Sequence, residues 1–210
     1  MKHVFIPACL ALALALAGCA SAPQSRYYSL SGTDKPASVA ARTDFAISLS
    51  AVEIPEQVDR PQIVLSREDD AQVTLLNESQ WAAPLADEIR NALSHDLSRR
   101  LGALDVSPRA APEALPLWVL GVTVQRFESI YGRHAVLEAT WRQEPRRGAS
   151  GPTAICRAQI DVPVQEGVSA LVAGHQQALD TLAGLMADKL SGRALQAGQG
   201  VVLKGCVDKP

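Results

Sequence analysis

Large apolar side chains recur at every fourth position between residues 81 and 101, at Trp81, Leu85, Ile89, Leu93, Leu97 and Leu101. Ala82, Ala86 and Ala92 widen this stripe, while Asp87, Glu88, Arg90, Asp96, Arg99 and Arg100 fall on the other side. In a helix, residues three and four apart share a face, so the spacing predicts an amphipathic helix with one side to bury. Asn77 or Ser79 can cap its start, and Gly102 stands where a left-handed C-terminal residue belongs. A second stripe, Leu171, His175, Ala178, Leu179, Leu182, Leu185, Met186 and Leu190, predicts another helix closed by Gly192. A helix with a single apolar stripe needs a facing surface, which restricts the chain to layered architectures.

The rest of the sequence supplies strands for that surface. "FAISLSAVEI" (45–54) alternates, with Phe45, Ile47, Leu49 and Ala51 on one face, and Pro55 ends it. "PQIVLS" and "AQVTLL" are separated by "REDD" at 67–70 and read as a hairpin. After a Pro/Ala-rich link come "LWVLGVTVQRF" (117–127), "HAVLEATWRQ" (134–143) and "TAICRAQIDVPV" (153–164). Their connections, "ESIYGR" and "EPRRGASGP", are short and contain glycine, so these strands are predicted to be antiparallel neighbours. Residues 201–203 can add a last short strand. The fold expected is α+β: a mostly antiparallel sheet with two long amphipathic helices packed on one face.

The N-terminus follows a different logic. Lys2 precedes an uncharged, nearly all-apolar run at 4–17, which is shorter than the roughly 20 residues of a membrane-spanning helix. Length and flanks fit a secretory signal. Ordinary cleavage would leave Cys19 a bystander, but Leu16-Ala17-Gly18-Cys19 resembles the lipobox of bacterial lipoproteins at all four positions. That resemblance implies acylation of the Cys19 thiol, which becomes the new N-terminus, and a protein anchored to a membrane without spanning it. Ala20 stands where an aspartate would resemble the inner-membrane retention signal, so the outer membrane, facing the periplasm, is the expected site. The divisions read from the chain are a signal peptide (1–18), a lipidated tether (19–44), one α/β domain (45–192) and a C-terminal tail (193–210). "YYSL" at 27–30 interrupts the tether as a first short strand or a docking element.

Composition narrows the function. The formal net charge is −2, and it becomes more negative once Lys2 is removed, so no basic excess suggests nucleic acid. Aromatic residues make up 4%, too few for a base- or sugar-stacking surface. Cys9 leaves with the signal. Cys156 and Cys206 remain in an oxidising compartment, either as a disulfide or as two free buried thiols. His95, His134 and His175 lack zinc-site spacing. His175 lies on an apolar stripe and reads as a packed side chain, and His95, beside Asp96, reads as solvated. Gly167-Val168-Ser169-Ala170-Leu171 begins like a nucleophile elbow but lacks the final glycine, and reads as the start of the second helix. Gly198-Gln199-Gly200 is half a phosphate loop with no long helix after it, and Asp69-Asp70 falls in a turn. Arg126, Arg133, Arg142, Arg146 and Arg147 crowd one hairpin region beside Glu128, Glu138 and Glu144. They form either a mixed-charge strand surface or a docking face for an acidic partner or lipid headgroups. No catalytic set, metal site or cofactor site is expected, and the chain reads as a binding or structural part rather than an enzyme.

Taken in order, the lipobox, "YYSL", "VEIPEQVDRPQIVLSR" (52–67) and "WAAPLADEIRNALSHDLSRRL" (81–101) resemble the PqiC/YmbA group, the auxiliary lipoproteins of ABC-type and MCE-protein transport systems. Asp59-Arg60-Pro61 and Trp81-x-x-Pro84-Leu85 are the most specific parts of the likeness, which runs from about residue 27 to 191 and leaves the tail unmatched. The resemblance implies a periplasmic lipoprotein of the outer membrane that forms a homo-oligomeric ring. The ring would dock on an MCE-domain protein, itself joined to an inner-membrane permease, in lipid transport that supports membrane integrity. Asp59, Arg60, Pro61, Arg126 and Arg133 are the interface residues expected on this reading. The alternative is a stand-alone periplasmic module that holds one hydrophobic ligand in a closed pocket. A lipid-modifying hydrolase would need a nucleophile that the sequence does not offer.

Overall fold

The computed structural model describes residues 24–32, 44–67, 70–106 and 113–209. The signal segment, Cys19 and most of the tether lie outside these residues. The element order is β1 (Arg26–Tyr28), β2 (Ala46–Leu49), β3 (Gln62–Arg67), β4 (Asp70–Trp81), α1 (Leu85–Leu101), β5 (Leu117–Ile130), β6 (His134–Arg146), β7 (Thr153–Pro163), α2 (Val168–Leu190) and β8 (Val201–Lys209). One mixed sheet runs in the order β1-β4-β3-β5-β6-β7-β8, and β2 also pairs with β5.

Short connections give the antiparallel pairs β3 with β4, β5 with β6, and β6 with β7, while β7 also pairs antiparallel with β8 across the long connection that holds α2. Three pairs are parallel: β1 with β4, β2 with β5, and β3 with β5. Parallel strands need a long return path. Here α1 lies between β3 and β5 in the chain, a connection that local spacing could not reveal. The two helices lie beside each other, and α2 packs against β6 and β7. A single main core joins both helices to the sheet, with Ile89, Leu93, Leu97, Leu137, Trp141, Leu179 and Leu182 fully buried.

Four local readings change in three dimensions. The six large side chains from Trp81 to Leu101 are buried as expected, but Ala82 is exposed and Ala86 half-buried, the helix begins at Leu85, and Trp81 ends β4. Pro84 has no backbone N–H and disfavours helical geometry at Ala83, which keeps the helix from starting earlier. Trp81 N instead donates to Pro61 O at 2.8 Å, so Asn77 and Ser79 lie inside a strand and cap nothing. β2 is four residues long and buried at every one of them, not a ten-residue alternating strand. Its neighbour β5 runs parallel to it, with Ile47 in the main core and Ala46 in a smaller cluster with Leu117. Glu88, placed by periodicity on the polar side of the helix, is only 5% exposed. Finally, the segment read as a tail carries β8, tied to β7 by a Cys156–Cys206 disulfide with Cα atoms 4.1 Å apart. Gly102 closes α1 in the left-handed region (φ 67°), its N–H donating to Ser98 O, as its position predicts.

Candidate docking cleft

Three of the four sequence fragments that carry the family resemblance converge at the start of α1; the fourth, Leu16-Ala17-Gly18-Cys19, lies outside the described residues. Tyr28 of β1 pairs in register with Trp81 of β4, and Ala82 N donates to Tyr28 O at 2.8 Å. Pro61 closes the turn before β3 and accepts the Trp81 N–H. Asp59, Arg60 and Pro61 thereby face the β4–α1 corner across an open cleft of about 400 Å³, whose other wall is Trp81, Ala82, Ala83, Pro84 and Leu85. The wall is apolar and anchored, because Trp81 and Leu85 are themselves core residues. The rim is polar: Asp59 is exposed, and Arg60 is half-buried with an Nε that makes no hydrogen bond among the described residues.

Glu88 explains why this corner is fixed. Its carboxylate accepts hydrogen bonds from Ser29 Oγ (2.8 Å) and Leu30 N (2.7 Å). Gln176 of α2 donates to Ser29 O at 3.0 Å. The stretch after β1 is thus held by side chains from both helices. A buried carboxylate is costly unless it is hydrogen-bonded, and here a backbone N–H and a hydroxyl both donate to Oε2. Contacts 58 and 59 residues apart leave no periodic signal in the sequence, so this role of Glu88 was not legible there.

The expected interface residues do not form one site. Arg126 borders a separate, smaller cleft with Pro55, Gln57, Val58 and Phe127, on the β5 side of the same turn. Its guanidinium grips Glu128 through two bonds of 2.8 Å, which raise its pKa and neutralise it locally. Arg133 is elsewhere, in the β5–β6 turn, where its carbonyl accepts from Val164 N. Arg142 and Arg146 bracket Glu144 at 2.9 and 2.7 Å, and Arg157 reaches Glu138 at 2.9 Å. These pairs make the hairpin region a mixed-charge surface rather than a bare cationic face.

One pairing elsewhere has the look of chemistry. Ser129 Oγ lies 2.8 Å from His175 Nε2, but both residues are buried, and among the described residues His175 Nδ1 has no hydrogen-bond partner to orient it. The ring stacks on Phe127 with centroids 3.9 Å apart. Burial alone pushes the imidazole pKa down to about 3. This is a packed core histidine, as its place on the apolar stripe predicted. Among the described residues, no three His, Cys, Asp or Glu side chains gather as metal ligands. No described helix is long and apolar enough to cross a membrane.

Comparison with known proteins places this geometry in context. The model of the family described as the ABC-type transport auxiliary lipoprotein component matches residues 28–187, a span that takes in Tyr28, Asp59-Arg60-Pro61 and Trp81–Leu85. The intermembrane transport lipoprotein PqiC of Escherichia coli (strain K12) is 30% identical over 134 residues, covering 61% of this chain and 68% of that protein. PqiC of Shigella flexneri is similar to the same degree. A crystal structure of an uncharacterized protein aligns with a TM-score of 0.58 at 18% identity, over 80% of this chain and 99% of that one. A protein from Xanthomonas campestris gives a TM-score of 0.58 at 16% identity, over 77% and 92%. At these identities the two structures speak for the fold.

Proposed function

The chain belongs to the ABC-type transport auxiliary lipoprotein family, and on that premise we propose that it serves as an outer-membrane-anchored, periplasmic, non-catalytic component of an MCE/ABC-type lipid transport system. The lipid on Cys19 holds the domain at the membrane. The domain assembles into a homo-oligomeric ring and docks on an MCE-domain protein coupled to an inner-membrane permease, which supports membrane integrity.

The observation that carries this reading is the cleft that Asp59-Arg60-Pro61 and Trp81–Leu85 form together, with Tyr28 paired to Trp81 beside it. Residues needed only for folding would be expected in the core. These instead combine buried anchors, Trp81 and Leu85, with a polar rim at Asp59 and Arg60. A rigid apolar wall beside a charge is the arrangement that gives a docking surface its hot spot. The cleft is open to solvent, whereas a stand-alone ligand carrier calls for an enclosed apolar pocket.

An Arg60→Glu exchange tests it. The variant is expected to keep its far-UV circular dichroism and melting temperature while losing ring assembly in native mass spectrometry, or capture of the MCE-domain protein. An Arg60→Glu protein that assembles and docks like wild type would remove the cleft from the interface. A variant that unfolds would make Arg60 a brace for the turn before Pro61 instead.

A further inference from the structure

The match to the family model ends at residue 187, but the sheet continues, and β8 covers the edge that β7 would otherwise expose. β8 is attached thinly. Only Val201 and Leu203 are half-buried against the core, and the remaining seven residues are exposed. Beneath it, a groove of about 320 Å³ separates its inner face from the C-terminal end of α2, between Leu203 and Cys206 on one side and Lys189 and Leu195 on the other. Beyond the ladder to β7, the ties seen among the described residues are the Cys156–Cys206 bond, an exposed Lys189–Asp208 ion pair at 2.7 Å, and a Gly200 carbonyl that accepts from Asp161 N.

β8 and β7 differ as outer edges. β8 carries Lys204 and Lys209 and a register shift at Gly205 (φ +136°), features that discourage pairing with another chain. β7 runs for 11 residues, with proline only at its last position, Pro163, and with Ile155 exposed on its outer face. Uncovered, it would offer a long, regular row of N–H and C=O groups. It is also self-complementary. An antiparallel register centred on Gln159 sets Arg157 of each copy opposite Asp161 of the other, two opposite-charge pairs on the outer face.

We propose that β8 is a covalently pinned guard of the β7 edge: the Cys156–Cys206 bond, more than packing, keeps it in place, and without that bond β7 pairs with β7 of a second copy. This does not rest on the transport reading. It makes the disulfide a device that reserves assembly for other surfaces of the molecule.

The test compares the oxidised mature chain, the same chain treated with a dithiol, and Cys206→Ser. The dithiol supplies the two electrons and two protons that turn the bond into two thiols. Cys206 is the residue to replace because it is exposed, whereas Cys156 is a core side chain. Hydrogen exchange at 153–163 and 201–209 is expected to quicken at least about tenfold on losing the bond, while α1 and β5 stay protected. Sedimentation should then show a concentration-dependent dimer that Arg157→Asp weakens. Unchanged protection at 201–209 overturns the pinning role. A released β8 on a chain that stays monomeric overturns the β7 pairing. Loss of protection throughout the domain overturns the local release.

Discussion

His175 illustrates how a single residue reports on its surroundings. It occupies an apolar stripe, stacks on Phe127 and bonds Ser129, and burial lowers its pKa from 6.5 to about 3. Below 6.5 the unfolded chain takes up a proton that the folded chain does not. Stability therefore falls as pH drops from 6.5 towards about 3 and is insensitive to this group at higher pH. Each pH unit in that window costs at most about 1.4 kcal/mol from this group. Urea melts across the window are expected to show a flatter slope in His175→Leu than in wild type; equal slopes would mean the ring is protonated in the fold. Leu93, fully buried in the main core, offers a simpler case. Leu93→Ala is expected to cost about 2–5 kcal/mol in denaturant melts, and a loss below about 1 kcal/mol would contradict its burial. Arg90 marks the limit of periodicity. It lies on the polar side of α1, yet it donates to Leu49 O and to Asp105, which also accepts from Ser94 and Leu49 N.

At the level of elements, the contact between α2 and the sheet depends on Gly174. A Cβ there would run into Val164 and come within 2.9 Å of the Ala135 side chain. In an isolated helix, Gly→Ala would gain roughly 0.8–1.0 kcal/mol. Here overpacking, at about 1–3 kcal/mol, opposes that gain. The overlap involves two neighbours, Ala135 on β6 and Val164 just past the end of β7, so it outweighs propensity. Gly174→Ala is expected to lower the melting temperature, and a rise would show that α2 can shift outward freely. The helix and strand segments were legible because periods of 3.6 and 2 are local properties of a chain. The start of α1 was not, since Trp81 continues the same four-residue stripe while belonging to β4. A side chain can face one core from either kind of backbone.

For the molecule as a whole, membership of a lipoprotein family and the Leu16-Ala17-Gly18-Cys19 match assign different jobs to the two ends of the chain. On the proposed reading Cys19 would carry the anchor, and the folded domain carries the cleft. Each buried methylene of an acyl chain contributes about 0.8 kcal/mol to membrane attachment. Cys19→Ala is therefore expected to shift the protein from the membrane to the soluble fraction while leaving the isolated domain's melting curve unchanged. Wild-type protein found soluble, without acyl mass on Cys19, would contradict the anchor.

The sequence alone determined the features that depend on neighbours a few residues apart: two amphipathic helices, the antiparallel β5–β6–β7 meander and the Gly102 cap. It also held the family fragments, but as separate words. Only the tertiary structure brought Tyr28, Pro61 and Trp81 into one corner, buried Glu88 under the residues after β1, and separated Arg126 and Arg133 from that cleft. Only the fold, too, turned the tail into a stapled strand. The physical reason is the same throughout. Hydrophobic period and turn chemistry act over one or two turns of chain. Parallel pairing, buried polar contacts and clefts depend on which distant segments meet, and that is fixed when the whole core closes.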